Sequence, residues 1–344
     1  MDSSEDRPNW LPESDILLVD AMQANPRASW SQIGAALDMS AVTAARRWRR
    51  LNSAGQAWVS VAIGPQQQSN FMVGYVQISC PPESISRTAE KLSLIPEVVS
   101  LVLTTGEWNM FLIVFAPNLN SLSDLIVDRI PRGSVLDRLS TSLVIEWFGG
   151  AQWRLGAMSR RQSESLRGPE ASRAYHREPF DLDDRRLFVA LSEDGRRSYT
   201  ELADMLDRTP RWVKERIHAL QRRGEIVFRC DVARNRAGWQ ALAFLWLRVP
   251  NEELGRIGKA LAVLPESRLC ASIAGNENLF FVVGLHSVSQ LPSVLTQLTT
   301  QFPQVIVKRQ EIGYRPVKLY GRLIDSTGNG AACVPLNLWS STQS

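Results

Sequence analysis

The chain is poor in the residues that metal and redox chemistry needs. It has 4 Cys in 344 residues (Cys80, Cys230, Cys270 and Cys333), none in C-x-x-C spacing. They read as reduced thiols in a cytoplasmic protein rather than as a disulfide framework. The 3 His (His176, His218 and His286) have no acidic or Cys companions at ligand spacing. That argues against a zinc site and leaves few candidates for acid–base catalysis. No run approaches the roughly 18 apolar residues of a membrane span. The start, MDSSEDRPNW, is acidic and polar, unlike a signal peptide. Excess charge is scarce as well: 39 Lys and Arg against 35 Asp and Glu leave +4. A nucleic-acid binder with so small an excess must concentrate its cations locally. The length gives room for two or more domains, each with a core.

What is present is said twice. Ser29 to Gly55, SWSQIGAALDMSAVTAARRWRRLNSAG, recurs without an insertion as Ser198 to Gly224, SYTELADMLDRTPRWVKERIHALQRRG. Each copy opens on a capping-box pair, Ser29 with Gln32 and Ser198 with Glu201. Each first helix ends at an Asp, Asp38 or Asp207, and a second cap follows at Ser40 or Thr209. Pro210 then occupies a first helical position, where its missing N–H costs nothing. The second helices space apolar residues to make one buried face: Ala44, Trp48 and Leu51, and Val213, Ile217 and Leu220. Gly55 and Gly224 stand where a helix terminates with positive φ. Two short helices, a tight turn and a cationic outer face form the helix-turn-helix pattern. A helix in the major groove passes between two rows of phosphates, so its exposed side chains must be cationic or polar. The residues expected to face DNA are Ser40, Thr43, Arg46, Arg47 and Arg50 in the first copy. Thr209, Arg211, Trp212, Lys214 and Arg216 are their counterparts in the second. The Arg46-Arg47-Trp48-Arg49-Arg50 run makes the first copy the stronger binder, and Glu215 in the second would repel phosphate. A plain helical hairpin with a solvated Arg face is the alternative.

A helix precedes each pair, over Leu11 to Met22 and Phe180 to Leu191, and an alternating, wing-like strand follows. Both halves then read strand, helix, strand, strand, helix, strand, a ferredoxin-like βαββαβ order. A Gly turn joins the second and third strands, Gly106-Glu107-Trp108-Asn109 and Gly275-Asn276-Glu277-Asn278. Two helices cover one sheet face, and the other keeps Tyr75, Phe111, Ile113, Phe244, Phe280 and Val282. A second apolar face needs a partner sheet, and this chain contains one. The fold class is therefore α+β, with winged helix-turn-helix units at 8–63 and 179–236 and ferredoxin-like domains at 68–150 and 240–322. Residues 151–178 read as an Arg-rich linker of little periodicity, and 323–344 as a weakly structured tail.

This architecture resembles the Lrp/AsnC family of transcription regulators, over nearly the whole chain and twice. Phe180-Asp181-x-x-Asp184-Arg185 resembles the family's opening Leu-Asp-x-x-Asp-Arg, with Leu202-Ala203 and Arg216…Leu220…Gly224 fitting further on. In the first copy Leu11-Pro12 replaces the opening pair. The resemblance implies a RAM-type effector and dimerisation domain in each half and double-stranded DNA as partner. It implies no cofactor and no membrane. It also implies an intrachain pseudo-dimer that could assemble into higher homo-oligomers. An amino-acid-like effector would bind near Gly106, Glu107, Trp108 and Asn109, and near Gly275, Asn276, Glu277 and Asn278. The family's Gly-Asp-x-Asp turn has Asn at its last position in both halves here, and an amide cannot pair with an ammonium as Asp does. A plain tight turn is the alternative there. Two rival readings remain. Siroheme decarboxylases look like fused units of this kind, and Val249-Pro250-Asn251-Glu252 and Asn278-Leu279-Phe280…His286 resemble them. Their His-containing Arg-rich segment is not matched by Phe228-Arg229-Cys230-Asp231-Val232-Ala233-Arg234. The other rival is a small-molecule binding module whose helix-turn-helix units are relics.

Overall fold

The structure is a computed structural model and describes residues 10–150, 153–166 and 179–339. Three helices open it: α1 (Glu13–Ala24), α2 (Trp30–Ala36) and α3 (Ala41–Ser53). Strand β1 (Ala57–Ile63) leads to β2 (Met72–Ser79), α4 (Ile85–Ser93), β3 (Val98–Thr104), β4 (Met110–Ala116), α5 (Leu119–Asp124) and β5 (Arg138–Gly149). After α6 (Arg160–Ser165) the order recurs. It runs α7 (Leu182–Glu193), α8 (Tyr199–Leu206), α9 (Pro210–Arg222), β6 (Ile226–Val232), β7 (Ala241–Arg248), α10 (Leu254–Ala262), β8 (Ser267–Ile273), β9 (Leu279–Leu285), α11 (Leu291–Gln301) and β10 (Ile306–Leu319). Strands β11 (Arg322–Ile324) and β12 (Gly330–Cys333) end it.

The two sheets do more than face each other. Their strands run β10-β3-β4-β2-β5-β8-β9-β7, and β7 pairs again with β10, closing an antiparallel barrel of eight. Two long strands make the closure. β5 pairs with β2 over its first half and with β8 over its second. β10 pairs with β7 from Ile306 to Gly313 and with β3 beyond. This is why β10 runs on to Leu319, past Gly313 where its pairing with β7 ends. A closed barrel leaves no unpaired edge. The apolar faces read from the sequence fill its interior, where Phe111 stacks on Phe280 at 5.0 Å and Tyr75 lies 4.9 Å from Phe280. α4 and α5 cover the outside of the first half's strands, and α10 and α11 the second's.

Three expectations need correction. The strands after each helical unit are not wings. β1 and β6 pair with each other along their whole length, Ala57 opposite Val232 and Ile63 opposite Ile226. Val59, Val61, Phe228 and Cys230 on one face of this ribbon join the helical core, and the other face carries Trp58, Ser60, Arg229 and Asp231. Both faces are buried, so neither strand is available to DNA. α1 packs on β6 and α7 on β1, so each helical unit rests on the other half's strand. Second, residues 153–166 are not a loose linker. Trp153, Met158 and Leu166 are buried, and Arg154 donates to buried Asp20 at 3.1 Å. Arg167, Arg173 and Arg177 lie outside the described residues. Third, the tail is structured. β12 pairs with β11, and Leu336, Leu338 and Trp339 are buried. A short apolar cluster spaced by Pro, Asn and Gly shows neither helical nor strand period, so only its fitting into existing core holds it.

Candidate nucleic-acid interface

The turn between each helix pair is built the same way. Ser29 Oγ accepts from Gln32 N–H at 3.2 Å while Gln32 Oε1 accepts from Ser29 N–H at 2.9 Å; Ser198 and Glu201 do the same at 3.2 and 2.9 Å. Asp38 and Asp207 take left-handed φ of 53° and 54°. Among non-glycine residues Asp is one of the few that visits this region readily, because its short side chain hydrogen-bonds locally. Ser40 then caps α3 by accepting from Thr43 N–H at 3.1 Å, and Thr209 caps α9 by accepting from Trp212 N–H at 3.2 Å. Ala44, Trp48 and Leu51 on α3, and Val213, Ile217 and Leu220 on α9, are buried as their spacing requires.

The cations divide sharply. Arg47, Arg50 and Arg216, expected to face DNA, turn back to the preceding helix. Arg47 reaches Asp15 at 3.2 Å, and Arg50 also pairs with Asp15, whose side chain is 1% exposed. Arg216 Nε donates to buried Asp184 at 2.6 Å. The physical cause is the buried carboxylate on α1 and on α7. Left alone it would carry a large desolvation cost, so it captures the nearest guanidinium. These arginines clamp α3 and α9 in place, although Arg50 keeps much of its surface in solvent. Arg46 and Arg49 are exposed and have no ion pair or hydrogen bond among the described residues. With exposed Val42 they form the outward stripe of α3.

On α9 the outward charge is largely cancelled. Arg211 pairs with Glu215 at 2.8 Å, and Arg208 pairs with Asp183 at 2.8 Å while lying over Trp212. Trp212 packs partly against the core, and Lys214 is the cation of the helix's first turns left exposed and unpaired among the described residues. Ser40 and Thr43 spend their hydroxyls on each other at 2.9 Å.

The two Gly turns are hairpin ends tied to neighbouring strands. Asn109 Oδ1 accepts from Cys80 N–H at 2.6 Å. Asn278 Oδ1 accepts from Val249 N–H at 2.9 Å, and its Nδ2 donates to Val249 O and Asn251 Oδ1. At Asn109 the side-chain oxygen does this work, as an Asp oxygen could; at Asn278 the two Nδ2 donations need the amide, which a carboxylate cannot supply. Glu107 pairs with Arg138, whose guanidinium lies over the buried Trp108. Asn276 O accepts from Arg248. Gly106 takes φ of 93° and stands next to Glu311, which burial pushes up to about 7. Gly275 has φ of 152°. The first turn abuts the second half through Thr105 N–H, which donates to Ile312 O at 2.9 Å. The second abuts the first through Ala274 N–H, which donates to Leu143 O at 2.9 Å.

Residues 13–52 match the AsnC-type helix-turn-helix domain, and residues 73–148 match the Lrp/AsnC ligand binding domain. Both matches fall in the first half, the helix-turn-helix match ahead of the ligand-binding one. The HTH-type transcriptional regulator Ptr1 of Methanocaldococcus jannaschii is 26% identical over 139 residues, which is 40% of this chain and 94% of that protein. LrpA of Pyrococcus abyssi, also an HTH-type transcriptional regulator, is 22% identical over 137 residues, 40% of this chain and 97% of its own. The crystal structure of the siroheme decarboxylase NirDL overlays on 90% of this chain and 93% of its own, with a TM-score of 0.57 and 13% identity. That likeness is one of fold, spanning both halves.

Within the Lrp/AsnC helix-turn-helix match, α3 supplies one residue that the sequence reading left out of the interface. Arg49 shares the outward face with Arg46 at i, i+3, a spacing visible in the sequence once Trp48 is fixed inward. A second group was not legible at all. Arg229, Arg234 and Arg268 sit in or beside strands, where nothing in the sequence marks them as interior, yet Arg229 and Arg268 are buried.

Proposed function

We propose that this protein is a DNA-binding transcription regulator of Lrp/AsnC type, and that its second half is a second copy, fused to make a pseudo-dimer in one chain. The observation that carries the proposal is the outward face of α3: two exposed, unpaired arginines on a capped second helix within the segment matched to the AsnC-type domain. The recurring element order supports the second copy, with units at about 8–63, 68–150, 179–236 and 240–322. In this reading the first unit dominates DNA contact through Arg46 and Arg49, helped by Arg50, and the second contributes Lys214. Unlike helices imply an asymmetric operator, because a strict palindrome mirrors identical subunits.

Fluorescence anisotropy on DNA from upstream of the protein's own gene, against a scrambled duplex across a salt series, tests this. The expected result is preference for the upstream duplex, with affinity falling steeply as salt rises. Arg46→Ala with Arg49→Ala should cost at least about tenfold in affinity and lower the salt slope by about two, while Lys214→Ala costs less. Equal affinity for both duplexes, or an unchanged double variant, would overturn the assignment.

The decarboxylase reading has one support, the NirDL-like fold over both halves. The site chemistry favours it less. His218 lies on α9, and His286 stacks on Trp239 at 3.7 Å with Nδ1 2.8 Å from Gly238 O. Tetrapyrrole binding without DNA binding would decide for it.

A further inference from the structure

Beneath the β1–β6 ribbon a cavity of about 60 Å³ opens into the barrel, and through Arg234, Val102 and Leu242 it adjoins a second of about 160 Å³. The inner wall of the smaller cavity is apolar, with Phe111, Phe244 and Val282. Its polar lining is the guanidinium groups of Arg229, Arg234 and Arg268 and the Trp153 indole, with the hydroxyl residues Ser100 and Tyr320, and Ser100 Oγ already accepts from Tyr320 N–H at 3.3 Å. Arg229 and Arg268 are each 6% exposed. Arg229 gives Nε and Nη2 to Asp231 at 2.7 and 2.6 Å and lies 3.5 Å over the Tyr320 ring, and its Nη1 has no hydrogen-bond partner among the described residues. Arg268 lies between the rings of Trp153 and Trp239, 4.2 and 4.1 Å from their centroids. Its Nη1 donates to Pro265 O and Ser267 O, and its Nη2 has no hydrogen-bond partner among the described residues. The Trp153 indole N–H is a third buried donor without an acceptor among the described residues. Gly284 makes room for the guanidinium, since a Cβ there would stand 2.8 Å from Arg268 Nη2. Among the described residues no carboxylate lines this cavity; Asp325 borders the outer one, where its Oδ1 already accepts from Thr327 and Asn329.

Burial, with Arg234 beside it, pulls Arg268 down to about 9, and burial pulls Arg234 down to about 10. Guanidinium groups nevertheless stay protonated at neutral pH, so the shifts record standing desolvation and mutual repulsion. Buried donors without acceptors are costly and rare in folded proteins. A carboxylate is the ligand that satisfies such planar donors, by paired charge-assisted hydrogen bonds.

We propose that this cavity binds a small monocarboxylate with a short apolar chain, its carboxylate on Arg268 Nη2, Arg229 Nη1 and the Trp153 indole N–H and its chain against Phe111, Phe244 and Val282. The ligand lacks an amino group, because an ammonium would sit among three arginines with no carboxylate of the described residues to pair it. A space of this size holds a few water volumes, which suits a branched short-chain acid and excludes a tetrapyrrole. The site lies apart from the Gly106–Asn109 and Gly275–Asn278 turns. Its role as an effector site rests on the regulator reading; binding itself does not.

Titration calorimetry on the full chain with 3-methylbutanoate tests binding, with 3-methylbutanamide and valine as controls. The acid should bind at least about tenfold more tightly than either. Arg268→Gln should lose at least tenfold and Arg268→Lys less, with near-ultraviolet dichroism checking that each variant is folded. Equal binding of acid and amide, no heat from the acid at millimolar concentration, or an unchanged folded Arg268→Gln would overturn the site. The acid-to-amide ratio is read on the unmodified protein, so it stands even if a variant misfolds. Anisotropy with and without the acid then reads the effector role separately.

Discussion

Two arginines on one helix can have opposite occupations. Arg46 and Arg50 stand a turn apart on α3, yet one reaches solvent without a partner and the other meets Asp15. The same contrast sets Lys214 against Arg216 on α9. The pattern of cations was legible in the sequence, and so was the correspondence of Asp15 with Asp184. What was not legible is that both carboxylates are buried, because burial of a polar residue near a helix start depends on what packs over it. The consequence is measurable. Arg216→Ala leaves Asp184 buried without its partner and should cost about 3 kcal/mol of stability. Arg46→Ala should cost less than about 0.5 kcal/mol while weakening DNA binding. Chemical denaturation of both variants separates clamp from contact. Equal stability losses would mean that Arg216 and Arg46 do not differ as clamp and contact.

At the level of elements, the helices were the most readable because caps and apolar spacing are local. Gly55 and Gly224 close α3 and α9 with φ of 64° and 68°, as their sequence positions imply. Strands carried their period but not their partners. β1 reads as an alternating wing, and only its register with β6 shows why all of it is buried. The C-terminal segment was least readable, since it holds no period. Trp339 is its anchor, 5.5 Å from Phe71, 5.8 Å from Phe180 and 5.7 Å from Phe188, so it ties the helical unit of the second half to the barrel of the first. Trp339→Ala should cost about 3 kcal/mol, the usual loss for emptying a large aromatic site. A thermal midpoint within about 1 °C of the parent would contradict that anchoring role.

As a whole the molecule is two halves that complete each other. β5 and β10 each begin in one sheet and end in the other, and the ribbon adds a second seam. The βαββαβ orders and their inward faces predicted the partnership. The crossing of the long strands was hidden because strand length beyond the hairpin depends on an edge from elsewhere in the chain. A protease site engineered between Arg167 and Arg177 should therefore yield two fragments that co-elute in size exclusion without denaturant. Separate elution would show that the seams are weaker than their pairing implies.

Fusion also frees a pseudo-twofold body from its own symmetry. The positions in the first half that answer to Arg229, Arg234 and Arg268 are Ser60, Pro65 and Val99. Two identical chains would have to place three arginines on both sides of the axis, six like charges about one barrel. One continuous chain carries them once. Occupancy is then one molecule per chain, and a saturation curve has no second site to bend it away from a simple hyperbola.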